Sequence, residues 1–237
     1  MCGRFTLTLD PSELREAMPW LNVPDELRPR YNIAPTQPVA VVANDGKHQV
    51  DFYIWGLIPS WAKDPEIGNR MINARAESLA EKPSFRSAFR RRRCLVLADG
   101  FYEWKQEQNS NLKTPLYIQL KSKQPFSFAG LWENWNSPDG SQVYSCTIIT
   151  TAANELIQTF HSRMPVILPE KSYSTWLSPQ EFEPRQLEPL LLPYPASEMV
   201  AYPVSRRVNS PANDLPECVL PLGAEQQPGV VIPGNGF

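Results

Sequence analysis

Cysteine is scarce in this chain and histidine scarcer, with four of the first and two of the second among 237 residues. The cysteines stand at 2, 94, 146 and 218 without any C-x-x-C spacing, and only His48 and His161 could join them. That argues against the usual zinc ligand sets, and so sparse a set provides no disulfide framework in a chain this long. Long apolar runs are missing too, so no segment reads as a membrane span. The opening Met-Cys-Gly-Arg-Phe-Thr holds no apolar signal core, which argues against export. Nor is there a Gly-rich phosphate loop, a G-x-S-x-G or an H-E-x-x-H. The resulting expectation is a cytoplasmic, reducing setting and no metal or cofactor.

What is present suffices for a core. The chain is 42% hydrophobic and 11% aromatic, the make-up of an ordinary globular protein, and its length suits one generous domain or two small ones. Net charge is −2, which by itself argues against a nucleic-acid partner. Its distribution argues the other way. Arg70, Arg75, Lys82, Arg86 and Arg90 to Arg93 face only Glu77 and Glu81, eight basic residues against two acidic ones. Such a stretch is either a phosphate-contacting patch or a solvated basic helix face.

Asp10-Pro11-Ser12-Glu13 reads as a helix start, with a cap, a first-turn proline and a carboxylate three residues after the cap. A short helix to about Met18 follows, then a loop over 19–37. Strands at 39–42 and 49–55 are joined through Asn44-Asp45-Gly46, a hairpin signal. Short helices are expected near 76–81 and 84–91. Strands follow at 94–98, 101–105, 115–120, 126–130 and 142–150, then a helix at 152–160 and a strand at 164–168. Two helical pieces within 169–190 and a last strand at 198–204 complete the set. With no internal repeat and no linker, the reading is one α+β domain over 1–222 around mainly antiparallel, barrel-like sheet. A loose tail of Gln, Pro and Gly follows from 223.

Cys2 is the most distinctive residue. Removal of Met1, by the protein itself or by an aminopeptidase, would leave Cys2 with a free α-amine and a thiol two carbons apart. An amine titrating near ~8 and a thiol near ~8.5 are both partly unprotonated at neutral pH. Such a 1,2-aminothiol condenses with an aldehyde to an imine, which the thiol closes to a thiazolidine. A cysteine at position two can equally be an accident of the start codon.

Three further polar islands stand in apolar or turn settings, and each reads two ways. Asn73, in Ile72-Asn73-Ala74-Arg75-Ala76-Glu77, positions a substrate hydroxyl or caps a helix. Glu103, between Tyr102 and Trp104, is a desolvated general acid or base with a raised pKa, or a carboxylate paired with an arginine. His161, in Phe160-His161-Ser162-Arg163-Met164-Pro165, is a working imidazole or a histidine capping a helix C-terminus. His48 reads as a solvated turn residue. Trp55, Trp61 and Trp104 suit either base stacking or the core.

Together and in order, these islands resemble the SRAP-domain family (SOS response-associated peptidase). The resemblance runs through Met1-Cys2-Gly3-Arg4-Phe5, Tyr31-Asn32-Ile33-Ala34-Pro35, Trp55 to Trp61, Asn73 to Glu77, Asp99 to Trp104, His161 to Pro165 and Tyr202 to Asn209. It spans about residues 1–222 and implies covalent capture of abasic sites in single-stranded DNA. Cys2 is then the nucleophile, with Asn73, Glu103 and His161 as its catalytic companions. Arg4 and Arg75 match phosphate-contacting positions, and Trp55 and Trp61 line the strand's path. The resemblance implies a DNA damage response protein of the SOS type whose cross-link shields the strand from cleavage; a monomer is expected, since nothing in the sequence demands more. Thiol-peptidase activity and plain single-strand binding are the rival readings.

Overall fold

In the computed structural model, residues 2–107 and 111–223 are described, so Met1 and all but the first residue of the expected tail lie outside them. In chain order the elements are β1 (Phe5–Leu7), α1 (Pro11–Ala17), β2 (Arg30–Ile33), β3 (Pro38–Ala43), β4 (Val50–Trp55) and β5 (Asn73–Arg75). Next come α2 (Arg86–Arg91), β6 (Arg93–Ala98), β7 (Gly100–Gln106), β8 (Lys113–Leu120), β9 (Phe126–Asn136) and β10 (Gln142–Ala152). The chain ends with β11 (Arg163–Pro165), β12 (Ile167–Leu168), α3 (Tyr173–Trp176), α4 (Pro184–Leu187) and β13 (Met199–Pro203). Short 3-10 turns fill several of the connections.

Five strands close a small barrel. β4 pairs with β3, β3 with β6, β6 with β9 and β9 with β10, all antiparallel, and β10 returns to β4 in parallel. Closure leaves the ring without an open edge. β6 is buried along its whole length, which is why it reads as an unbroken apolar run. A second, wholly antiparallel sheet has the order β13-β8-β7-β1-β2. One of its faces packs on the barrel through Phe5, whose ring meets Trp55 and Phe128 edge-on at 5.1 and 5.6 Å. Each such buried ring contributes about 1.5–3 kcal/mol. The other face carries a smaller cluster of Tyr102, Tyr117, Val204, Val208 and Cys218. The architecture is the α+β, barrel-centred single domain expected of the sequence.

Where the chain leaves the barrel it crosses to this second sheet between Ala98 and Gly100. A Cβ on Gly100 would lie 2.1 Å from Tyr117 Oη, so glycine here leaves room for the Tyr117 ring to lie across β7. Helix α1 begins as expected. Asp10 accepts from the Ser12 and Glu13 amides at 2.8 and 2.9 Å, and Glu13 accepts from the Asp10 amide at 2.9 Å.

Several expectations needed correction. The loop expected over 19–37 contains β2, while β1 and β5 were not expected as strands. The helix expected over 152–160 is a 3-10 turn at Ile157–Thr159, because β10 runs on to Ala152 and Asn154 then caps the turn, accepting from the Ile157 amide at 3.0 Å. The helix expected near 76–81 is likewise a 3-10 turn, Ala76–Ser78. The 164–168 strand divides into β11 and β12, with Val166 between them bonding to both Ile149 and Ala129. No described helix is long and apolar enough to cross a membrane.

Candidate active site around the amino terminus

β1 brings the start of the chain against β7. Phe5 lies opposite Phe101 and Thr6 opposite Gly100, and the Tyr102 amide donates to the Arg4 carbonyl at 2.9 Å. Extending that register toward the amino terminus sets Gly3 across from Glu103. Cys2 lies just beyond, fully buried, with its Sγ donating to the Arg4 carbonyl at 3.7 Å.

Asn73 approaches from the barrel. β5 pairs in parallel with β10, Asn73 opposite Ile148, and from there Asn73 Nδ2 donates to the Cys2 carbonyl at 2.7 Å. Its Oδ1 is buried without a hydrogen-bond partner among the described residues, an acceptor held ready for a donor. The cap role is therefore set aside: this asparagine holds the first residues of the chain.

Glu103 is 4% exposed. Burial raises its carboxyl above the ordinary value, and the amino-terminal charge and then His161 oppose the rise. It lies close enough to Cys2 that its charge, after burial, is the next influence lifting the thiol. That corrects one expectation. The Cys2 thiol is pushed well above its usual range and stays protonated at neutral pH.

His161 is half-buried and follows the 3-10 turn, its amide donating to the Ile157 carbonyl at 2.8 Å. A three-residue turn has almost no macrodipole, so the helix-cap reading lacks its helix. The Arg163 amide donates to His161 Nδ1 at 3.0 Å. The Arg163 carbonyl lies equally near Nδ1, at 3.0 Å, so the Arg163 backbone meets this nitrogen in either tautomer.

The residues expected to meet DNA divide. Arg75 is exposed at the end of β5, two residues from Asn73, and Trp61 is 59% exposed beside Lys63 and Arg70 in a surface hollow of about 540 Å3. Trp55 is fully buried and its indole donates to the Ile72 carbonyl at 2.8 Å, so it cannot stack on a base. It supports the segment leading into Asn73 instead. Arg4 is partly committed within the protein. Its Nη1 donates to Asn32 Oδ1 at 2.7 Å and the Val208 carbonyl at 2.6 Å, and its guanidinium sits 5.8 Å from the Trp104 ring centre.

The basic stretch divides in the same way. Arg93 is fully buried and donates to the carbonyls of Phe89, Arg90, Trp176, Ser178 and Gln180. Arg92 pairs with Glu133 at 2.5 Å, and Arg90 with Glu181 and Glu183 at 2.9 and 2.6 Å. Arg93 and Arg90 fasten the 176–183 segment to α2 and the start of β6, and Arg92 ties the end of α2 to β9. The end of the stretch nearer Asn73 keeps Arg70, Arg75, Lys82 and Arg86 exposed. Asn32 carries a role the sequence did not reveal. Fully buried, it joins Arg4 to the chain's last turns by donating to the Ser210 and Asn213 carbonyls at 3.0 and 2.6 Å. Among the described residues no group of His, Cys, Asp or Glu is placed to hold a metal ion.

A small closed barrel backed by an antiparallel sheet, with Cys2, Asn73, Glu103 and His161 gathered at the chain's start, defines an α+β protein whose polar site is built on its amino terminus. The chain belongs to the SOS response associated peptidase (SRAP) family, whose model matches residues 1–211. It is 48% identical over 225 residues to the abasic site processing protein YoqW of Bacillus subtilis, covering 92% of this chain and 99% of that protein. It is 32% identical over 274 residues to the abasic site processing protein HMCES of Xenopus tropicalis, covering 97% and 81%. A crystal structure of a Bacteroides thetaiotaomicron protein superposes with a TM-score of 0.80 at 28% identity, covering 89% of this chain and 96% of that one.

Proposed function

We propose that this chain is a DNA damage response protein that captures abasic sites in single-stranded DNA through Cys2 once Met1 is removed. The observation that carries the reading is the placement of Cys2: fully buried, held through its carbonyl by Asn73, and within the electrostatic reach of Glu103. The family and the names of the relatives point to the same substrate.

The chemistry follows from the groups present. An abasic deoxyribose exchanges between a closed hemiacetal and an open aldehyde, and His161 moves the proton that opens the ring. The Cys2 amine adds to the aldehyde carbon, giving a carbinolamine whose hydroxyl Asn73 Oδ1 accepts. Glu103, protonated more readily than an ordinary carboxyl, gives its proton to that hydroxyl, and water leaves with formation of the protonated imine. The carboxylate then takes the thiol proton and is left protonated as it began, sulfur bonds to the imine carbon, and the C=N electron pair settles on nitrogen, which keeps its hydrogen. The sum is aldehyde plus aminothiol giving thiazolidine plus water. An imine would acidify the adjacent C–H and invite β-elimination, whereas the saturated ring does not, so the adduct shields the strand.

Arg75 and the exposed cations near it contact phosphates, with Trp61 beside them, so the non-covalent encounter weakens steeply with salt. The test is denaturing gel electrophoresis of the protein with an abasic single strand and with an intact one. A heat-stable band requiring both the lesion and Cys2 is expected, absent in Cys2→Ala and reduced to a labile adduct in Cys2→Ser. Intact mass then reports loss of Met1 and of one water. No band from protein shown to begin at Cys2 overturns the proposal and leaves peptidase or plain strand binding.

A further inference from the structure

Asn73 and His161 come from distant parts of the chain, and one ion pair joins the segments that carry them. Arg163 Nη1 and Nη2 donate to the two oxygens of Glu77 at 2.6 and 3.0 Å, a two-pronged pairing. The same Nη2 donates to the Thr150 carbonyl on β10 at 2.6 Å. Thr150 is the residue opposite Arg75 on one side and Pro165 on the other, so β5, β10 and β11 lie side by side. The Arg163 side chain therefore bolts the turn after Asn73 to the strand after His161, across the strand between them. At its backbone Arg163 also meets the imidazole, its amide and its carbonyl each 3.0 Å from His161 Nδ1.

We infer that Glu77 is a positioning residue, acting through Arg163 to hold His161 at a fixed distance and in one orientation relative to Asn73 and Cys2. The inference rests on the proposed chemistry and extends it to a residue that touches neither Cys2 nor the strand. Glu77 is 57% exposed at its side chain and Arg163 17%. A pair open to water on one side adds little to fold stability, so its geometric role is the larger one. Misplacing a catalytic group by about an ångström lowers a rate by as much as ~100-fold, and a loosened strap is a milder fault.

The test uses Glu77→Gln, which keeps the side chain's size and removes the charge and one acceptor, with Glu77→Asp as the conservative partner. The expected result is an approximately tenfold slower cross-link to an abasic single strand, with the melting temperature unchanged and non-covalent binding to an intact strand not weakened. Glu77→Asp recovers part of the rate. On a His161→Ala background, Glu77→Gln causes no further loss. Equal losses on both backgrounds overturn the inference. Nitrogen NMR of the His161 ring is read without DNA: one sharp set of ring signals in the native protein and shifted or broadened ones in Glu77→Gln is expected. Unchanged ring signals overturn the strap even if the double variant reacts too slowly to measure. Absence of any cross-link by the native protein overturns the proposed function, while the ring signals still decide the strap.

Discussion

Two buried acids stand four residues apart where the chain crosses from barrel to second sheet, and they sit among different neighbours. Asp99 is 7% exposed and Glu103 4%, and burial raises both carboxyls above the ordinary range. Around Asp99 every partner is a fixed donor. Thr6 Oγ1 donates to Oδ1 at 2.5 Å, while the Thr8 amide and hydroxyl donate to Oδ2 at 2.7 and 2.5 Å. Thr6 in turn meets Tyr117 Oη at 2.9 Å, so the carboxylate ties β1, β7 and β8 into one piece. The groups felt by Glu103 are ones that gain or lose protons: the amino terminus, His161 and the Cys2 thiol. Burial does not separate a structural acid from a chemical one; the nature of the neighbours does.

Exchanging the two acids for neutral residues sharpens that contrast. Glu103→Gln removes a proton donor and acceptor from the reacting centre. The cross-linking rate should fall at least ~100-fold, the range of general acid–base catalysis, in a quench-flow or gel time course. A loss under threefold would return Glu103 to a structural role. Asp99→Ala strips three donors of their acceptor. Urea unfolding should show a loss of about 2–3 kcal/mol, typical of hydrogen bonds to a buried charged group. Below the unfolding transition, its cross-linking rate should stay within twofold of native. If Asp99→Ala instead stops cross-linking in a protein that remains folded, the division between the two acids fails.

Much of the scaffold was legible because it is repeated along the chain. The apolar runs of β3, β6 and β10, the Asn44-Asp45-Gly46 hairpin and the Asp10 to Glu13 cap all carry local signals. β1, β2 and β5 carry none: three or four residues are too few to show alternation, and β1 and β5 form against the longer β7 and β10, with β2 added on β1. The site residues Cys2, Asn73, Glu103 and His161 stood out as polar islands, but their roles were less visible. Asn73 looked like a cap because its true partner, the Cys2 carbonyl, is 71 residues away. The run Arg90 to Arg93 misled for a related reason. Composition registers charge, whereas Glu133, Glu181 and Glu183 neutralise Arg92 and Arg90 from remote segments, and carbonyls absorb Arg93. Trp55 and Trp61 are six residues apart in sequence, yet only the second reaches solvent.

The smallest effect is the one that separates the two readings of Glu103 in the absence of any DNA. An acid with a folded pKa above its unfolded value holds its proton longer in the folded state. Between the unfolded value, about 4.3 for glutamate, and the raised folded one, the folded protein binds more protons, so stability falls as pH rises through that window. Below it the penalty is gone. Glutamine never ionises, so Glu103→Gln should be more stable than the native protein at pH 7, and the advantage should close as pH falls toward 4. Asp99 is raised as well, but it is common to both proteins and drops out of the difference. Urea midpoints of the two proteins at pH 4 and pH 7 make the comparison. A carboxylate kept for an ion pair would give the reverse sign, with Glu103→Gln less stable at pH 7 and the deficit shrinking in acid, and that result would set Glu103 beside Asp99 as a structural acid.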